Sequence, residues 1–265
     1  MSSPCRASVA LALLTLLLAG PAAARDLRVC TEPNNLPFSD RAGAGFENRI
    51  AGVLAEALGG HLVPVLIAQH GPGFLRATIG AGRCDAIMGM PLGSHGVALT
   101  RPYYRTGWVF VTRGGDALRP ASFDDPGLRG RSIGVPVVGE GADTAPLIAL
   151  GRRGLVDRLQ RYAIGGDLAD GDDAPEQMVA DVARGRTDVA LLWGPSAGYF
   201  AAAQPVPLTL TPTPRDDGPN VPFALDIAVA TKPGNPLRDA LDAALAREMP
   251  RVRAVLAAFH VPVLE

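Results

Sequence analysis

From residue 27 the pattern of apolar and polar positions switches between two periods. LRVC, residues 27–30, is an apolar run of strand length that breaks into the polar, proline-containing stretch TEPNNLPFSD, residues 31–40. Phe46, Ile50, Val53, Leu54, Ala57 and Leu58 then recur at helical spacing and stop at Gly59-Gly60, where a helix would be capped. Residues 61–67 predict a second strand, residues 74–81 another helix and residues 84–90 a third strand. Strand and helix in alternation is the pattern of a doubly wound parallel sheet flanked by helices.

The pattern then repeats. GRCDAIMGMP, residues 82–91, and GRTDVALLWGP, residues 185–195, each run from Gly-Arg-x-Asp into an apolar strand that ends near Gly and Pro. The second copy has its own opening strand at 132–138 and its own helix at 175–184, so two similar α/β lobes are the simplest account. Between the copies, LTRPYYRTGWVFVTRGG, residues 99–115, predicts a strand leaving the first lobe. LDIAVATKPGNPLRDALDAALAREM, residues 225–249, predicts a strand returning to it, followed by a helix capped by Asn235 with Pro236 at its first position. Leu237, Leu241, Leu245 and Met249 give that helix one apolar face. Two crossing strands make a hinge, with residues 25–111 plus 226–265 as lobe one and 112–225 as lobe two.

Residues 1–24 stand outside this scheme. Arg6 precedes an apolar run at residues 9–20, too short to span a bilayer, and Ala22-Ala23-Ala24 offers a small-residue cleavage site. The expectation is an export signal removed near Ala24, a periplasmic location and no membrane insertion. Without Arg6 the net charge is about −2, which steers toward neither nucleic acid nor an anionic membrane. With 48% apolar and 19% charged residues, the rest reads as globular. Cys30 and Cys84 remain after cleavage, and an oxidising compartment permits a bridge between them. Cys30, however, closes one predicted strand and Cys84 opens another, a placement that argues for too long a separation. The pairing stays open.

Ligands of open α/β sheets bind beyond the carboxyl ends of the strands, which here points to loops 31–38, 91–95, 138–144 and 193–199. In the first, Glu32 adds a carboxyl, Asn34 and Asn35 offer amides and Phe38 offers a flat wall, although paired asparagines serve turns equally well. In the third, GEGADT holds Gly141 and Thr144, where backbone amides would suit an anion, but it is one glycine short of the dinucleotide fingerprint and a structural turn is favoured. LGSHG, residues 92–96, lacks the first glycine of a nucleophile elbow. His61, His70, His95 and His260 share no metal-ligand spacing, and DLADGDD, residues 167–173, lacks the register of a calcium loop. The residues therefore assign no catalytic group, cofactor or metal site.

The order of LRVC, GRCDAIMG, RPYYRTGWVFVTR, LRGRSIGVP, GRTDVALLWGP and DIAVATKPG resembles the substrate-binding proteins of ABC transporters, in the amino-acid branch of the type II periplasmic fold. More narrowly, CTEPNNLPFSD, GFENRIA, RPYYRTGWVFV and WGPSAGYF are similar to the MoxJ and XoxJ proteins encoded beside PQQ-dependent methanol dehydrogenases. The resemblance implies a two-lobed fold joined by a two-strand hinge, a non-catalytic role and a methanol or alcohol dehydrogenase as partner. It also exposes a departure. Amino-acid receptors carry an arginine after the third strand of lobe one and an aspartate after the Gly-Arg-x-Asp strand of lobe two; here those stretches are MPLGSHGVALT and WGP. Losing two charge-assisted contacts worth about 1.5–3 kcal/mol each disfavours a free amino acid. Met90, Pro91, Leu92, Trp193 and Tyr199 are expected instead to wall an apolar cleft for a peptide segment, a partner protein or a small non-amino-acid solute.

Overall fold

The computed structural model describes residues 26–67, 73–138, 144–164, 174–218 and 220–265. The predicted leader, Gly141 and the DLADGDD run lie outside the described residues.

The first half follows the alternation. Strand β1 (Leu27–Thr31) leads into two-residue strands β2 (Asn34–Asn35) and β3 (Ser39–Asp40), then helix α1 (Phe46–Ala57), strand β4 (Leu62–Leu66), strand β5 (Ala86–Pro91) and the short β6 (Ala98–Leu99). Gly59, at φ +82°, takes the left-handed conformation that lets the chain turn just beyond α1. The helix expected over 74–81 is present but short, and Arg76–Gly80 of it is a π-helical turn, in a segment with Gly73 and Gly80 at its ends.

The second half repeats the theme. The long β7 (Tyr104–Arg113) precedes β8 (Ile133–Val138), α2 (Ala145–Arg152), β9 (Leu159–Ile164), α3 (Ala174–Ala183) and β10 (Val189–Trp193). Next come α4 (Gly194–Ala202), β11 (Leu208–Pro212), β12 (Ala224–Thr231) and α5 (Leu237–Ala258). The Asn235 side chain accepts a hydrogen bond from the Leu237 amide at 3.0 Å, the capping role its sequence position implied. α5 runs past Pro250, because Val252 and Leu256 continue the buried stripe of Leu241 and Leu245.

The strands form a ten-stranded sheet with the path β4-β1-β5-β12-β7-β10-β8-β9. Pairing is parallel in β4-β1-β5 and in β10-β8-β9, and antiparallel where β12 and β7 link the two groups. β7 belongs to both: Tyr104 to Gly107 pair with β12, and Trp108 to Val111 pair with β10. Strand alternation sends Leu27 and Val29 to a core shared with α1 and α5, while Cys30 faces a second core with Ile79 and Ile87. In the other group Ile133, Val135 and Leu191 pack with α2, and Val109, Val111 and Leu192 pack with α3 and α4.

The repeated Gly-Arg-x-Asp has a structural meaning. Gly82 and Gly185 both adopt positive φ, +70° and +73°, at the turn before each strand. The aspartates then tie that turn to the neighbouring strand. Asp85 accepts from the Arg28 amide at 3.1 Å and from its guanidinium at 2.8 and 3.0 Å. Asp188 accepts from the Ser132 amide and hydroxyl at 2.9 and 2.8 Å. One local solution thus serves both groups of strands.

Cys30 and Cys84 are bonded, with S–S 2.08 Å and Cα–Cα 5.5 Å, which settles a pairing that the sequence left open. Cys84 sits in the turn before β5 and not within the strand, so strand register does not hold it away from Cys30. The bridge closes a loop with a sequence separation of 54 residues. Replacing both cysteines by serine is expected to cost about 2–4 kcal/mol in denaturant unfolding. An unchanged midpoint would show that the bridge adds no constraint to the unfolded chain.

Candidate functional site

A cavity of about 510 Å³ opens at the carboxyl ends of β1 and β5, where β7, β10 and β12 meet them. β1 ends at Thr31, Glu32 follows it, and the loop turns back as the β2-β3 hairpin, pairing Asn34 with Asp40 and Asn35 with Ser39. The Ser39 hydroxyl donates to the Glu32 carbonyl at 3.0 Å. Asn48 of α1 holds the hairpin from the other side, accepting from the Asp40 amide at 3.0 Å and donating to the Thr31 hydroxyl at 3.1 Å. Gly45 is required at this junction, since a Cβ there would lie 2.1 Å from the Phe38 carbonyl oxygen.

Of the residues singled out from the sequence, Glu32, Asn35, Phe38, Met90, Pro91 and Trp193 line this cavity. Asn34 is in the same hairpin but is not part of the wall. Leu92 is 50% exposed beyond the end of β5, its amide donating to the Asp226 carbonyl. Thr144 is buried away from the cavity, and its hydroxyl donates to the Pro136 carbonyl at 3.0 Å. Tyr199 differs most from expectation. Residues 193–199 are not a loop, because α4 starts at Gly194 directly after β10 with Pro195 in its first turn, and the Tyr199 ring stacks on Phe259 at 5.7 Å.

The structure adds residues that the sequence reading passed over. Trp108 of β7 lies opposite Trp193 of β10 in register, and the two rings meet edge to face at 5.8 Å. Tyr104, Leu225 and Ile227 complete the wall along the crossing strands. Glu47 is the more consequential addition. Its position in the first turn of α1 invites a reading as a helix-end carboxylate. The signal that could have revealed it is its spacing to Ala51 and Leu54, four and seven residues on, both buried.

The Glu47 carboxyl lies against β5. A Cβ on Gly89, whose φ is +72°, would sit 2.4 Å from its Oε1, so only glycine leaves the carboxyl room. Its remaining accessible surface faces the cavity wall. Burial, reinforced by the charge of Glu32, pushes its pKa up to about 8. Tyr103 and Tyr104 of β7 are also raised well above their ordinary value, first by burial and then by Glu47. The Gly89 amide donates to the Tyr103 hydroxyl at 3.2 Å, fixing the strand beside the carboxyl. Among the described residues, no Lys, Arg or His lines the cavity.

With this geometry in view, the known proteins are informative. No family model matches the chain. It is 31% identical to the protein MoxJ of Methylorubrum extorquens over 247 residues, covering 90% of this chain and 81% of that one. It is 30% identical to MoxJ of Paracoccus denitrificans over 267 residues, covering 94% of each. The chain belongs to the MoxJ family. Among solved structures, the periplasmic binding protein XoxJ of Methylobacterium extorquens AM1 superposes with a TM-score of 0.73 at 34% identity, over 90% of this chain and 99% of that one. The MoxJ-family fold is therefore that of the type II periplasmic binding proteins. Among the described residues, no helix is long and apolar enough to cross a membrane.

The raised Glu47 carboxyl has a thermodynamic signature. Its folded pKa, about 8, exceeds its unfolded value near 4.5, so the folded state binds the proton more tightly between those limits. Its contribution is most favourable below pH 4.5 and is lost as pH rises toward 8. Denaturant unfolding of wild type and Glu47→Gln from pH 5 to pH 8.5 should therefore diverge, the variant gaining a few kcal/mol relative to wild type at the alkaline end. Parallel curves would mean that Glu47 ionises inside the fold without penalty.

Proposed function

We propose that this MoxJ-family chain is a periplasmic, non-catalytic accessory protein that associates with a PQQ-dependent methanol or alcohol dehydrogenase and supports its activity or maturation. The observation that carries the reading is the cavity wall in a chain of this family. Where amino-acid receptors present an arginine after the third strand, this wall offers Met90 and Pro91, and the end of β10 offers Trp193. Apolar and aromatic anchors in a recess are what protein segments bind.

In this reading residues 1–24 direct export and are removed near Ala24, and the mature chain is a monomer when free. It needs no cofactor of its own, since PQQ belongs to the dehydrogenase. Residues 25–111 plus 226–265 and residues 112–225 act as two lobes that open about β7 and β12. Opening separates the loop after β1 from Trp193 and admits a segment of the dehydrogenase. Preferential binding of one dehydrogenase conformation then biases that enzyme toward it.

One observation favours a second reading. The cavity, at about 510 Å³, falls within the range of small-molecule sites, as a transport receptor for a small solute other than an amino acid would require.

Copurification and activity measurements separate the two. The mature protein should bind the dehydrogenase at micromolar concentration and raise its turnover. Trp193→Ala should weaken that association about 10- to 30-fold, the effect of truncating an aromatic anchor worth about 2 kcal/mol. Failure to associate, combined with thermal stabilisation by a millimolar organic solute, would favour the transport receptor.

A further inference from the structure

We infer that the cavity takes an organic monocation, an ammonium or guanidinium group on an apolar stem, with the charge seated against the Glu47 carboxylate. This deepens the proposed function and rests on the reading that the cavity is the binding site. Three features of the walls carry it.

The first is charge. Among the described residues the ionisable carboxyls of the lining are Glu32 and Glu47, and no Lys, Arg or His of that lining stands beside Glu47. No side-chain donor reaches the Glu47 carboxyl among the described residues, and its charged neighbour, Glu32, repels it. A buried carboxylate in this setting lacks the partner that usually makes burial tolerable.

The second is the aromatic surround. Trp108, Trp193, Tyr104 and Phe38 present rings to the same space, and ring faces attract a desolvated cation. The third is the apolar remainder, Met90, Leu225 and Ile227 among it, which suits a hydrocarbon stem and not a hydrated ion. A hard metal ion wants six or more oxygens. Among the described residues no group of three or more His, Cys, Asp or Glu could hold one. An anionic ligand would meet two carboxyls.

The same geometry makes the binding proton-linked. The titratable groups facing Glu47 are Glu32 after β1 and Tyr103 and Tyr104 on β7. β5 faces it with Gly89. Arg49, two residues along α1, lies over the Phe259 ring at 5.0 Å. Both tyrosines stay neutral through the working range, because burial raises them well above 10. A cation therefore has to displace the proton of Glu47, and affinity rises with pH until that carboxyl is ionised in the free protein.

Calorimetry on the full mature chain tests this with n-hexylammonium, and with n-hexanol and n-hexanoate as neutral and anionic counterparts of equal length. Hexylammonium should bind best, with affinity rising about 50-fold from pH 6 to pH 8 and about one proton released per molecule bound at pH 7. Glu47→Gln should fold at least as stably as wild type, lose that pH dependence and bind at least about tenfold more weakly at pH 8. Glu32→Gln is a second folded variant, and it should lower affinity without abolishing proton release.

N-acetyl-lysine N-methylamide separates two sources of the cation. Binding of both amines points to a lysine presented by a polypeptide, and binding of hexylammonium alone points to a free amine. Hexanol equal to hexylammonium at pH 8, or no binding of either amine at 10 mM (roughly the weakest measurable site), would overturn the inference. Dehydrogenase association measured in parallel keeps the two ideas apart. Association without amine binding removes the cation and leaves the proposed function, whereas amine binding without association does the reverse.

Discussion

The pairing of β7 with β12 is the constraint on which the rest of the molecule depends. β7 is a single ten-residue strand whose first part pairs with β12 and whose second part pairs with β10. Every parallel strand is attached to one side or the other of that crossing. The pairing changes at Gly107-Trp108, where a Cβ on Gly107 would lie 2.7 Å from the Phe223 carbonyl oxygen. Close backbone approach therefore sets the exchange of partners, and it places Trp108 directly beneath the end of β10. The cavity exists because two groups of strands present their carboxyl ends toward this crossing.

The cavity wall also holds a conflict that folding leaves in place. A helix turn that begins Phe46-Glu47 must bury Phe46, and with Gly89 opposite, the adjacent carboxyl is carried into the wall. The surroundings are apolar and aromatic, and the charge that acts on it is that of another glutamate, Glu32, which raises its pKa further. Near neutral pH the fold therefore keeps this group mostly protonated. The edge-to-face Trp108 and Trp193 pair and the carboxyl line one recess, with rings on its sides and an ionisable group in its wall.

Much of the architecture was legible because it rests on periodicity and repetition. The helical spacing of Phe46, Ile50, Val53 and Leu54 does not depend on what lies across the sheet. The doubled Gly-Arg-x-Asp was legible for a local reason as well: each glycine makes a positive-φ turn and each aspartate closes a few hydrogen bonds to the next strand. Five residues of the cavity wall, Glu32, Asn35, Phe38, Pro91 and Trp193, were reachable by one rule, that ligands lie past the carboxyl ends of strands. Where that rule failed, a particular contact intervened. Tyr199 lies on a helix that starts immediately after its strand, and Phe259 claims its ring.

The sequence by itself determined the alternation of strands and helices, the twofold repetition and the apolar faces, all properties of residues within a few positions of one another. Tertiary structure decided what required distant residues to meet. It brought Cys84 to Cys30 from outside the strand, set Trp108 against Trp193, and gave Glu47 its elevated pKa. Spacing along the chain records how often a side chain is buried. It does not record which surfaces converge around it, and a carboxyl's charge state depends on that convergence.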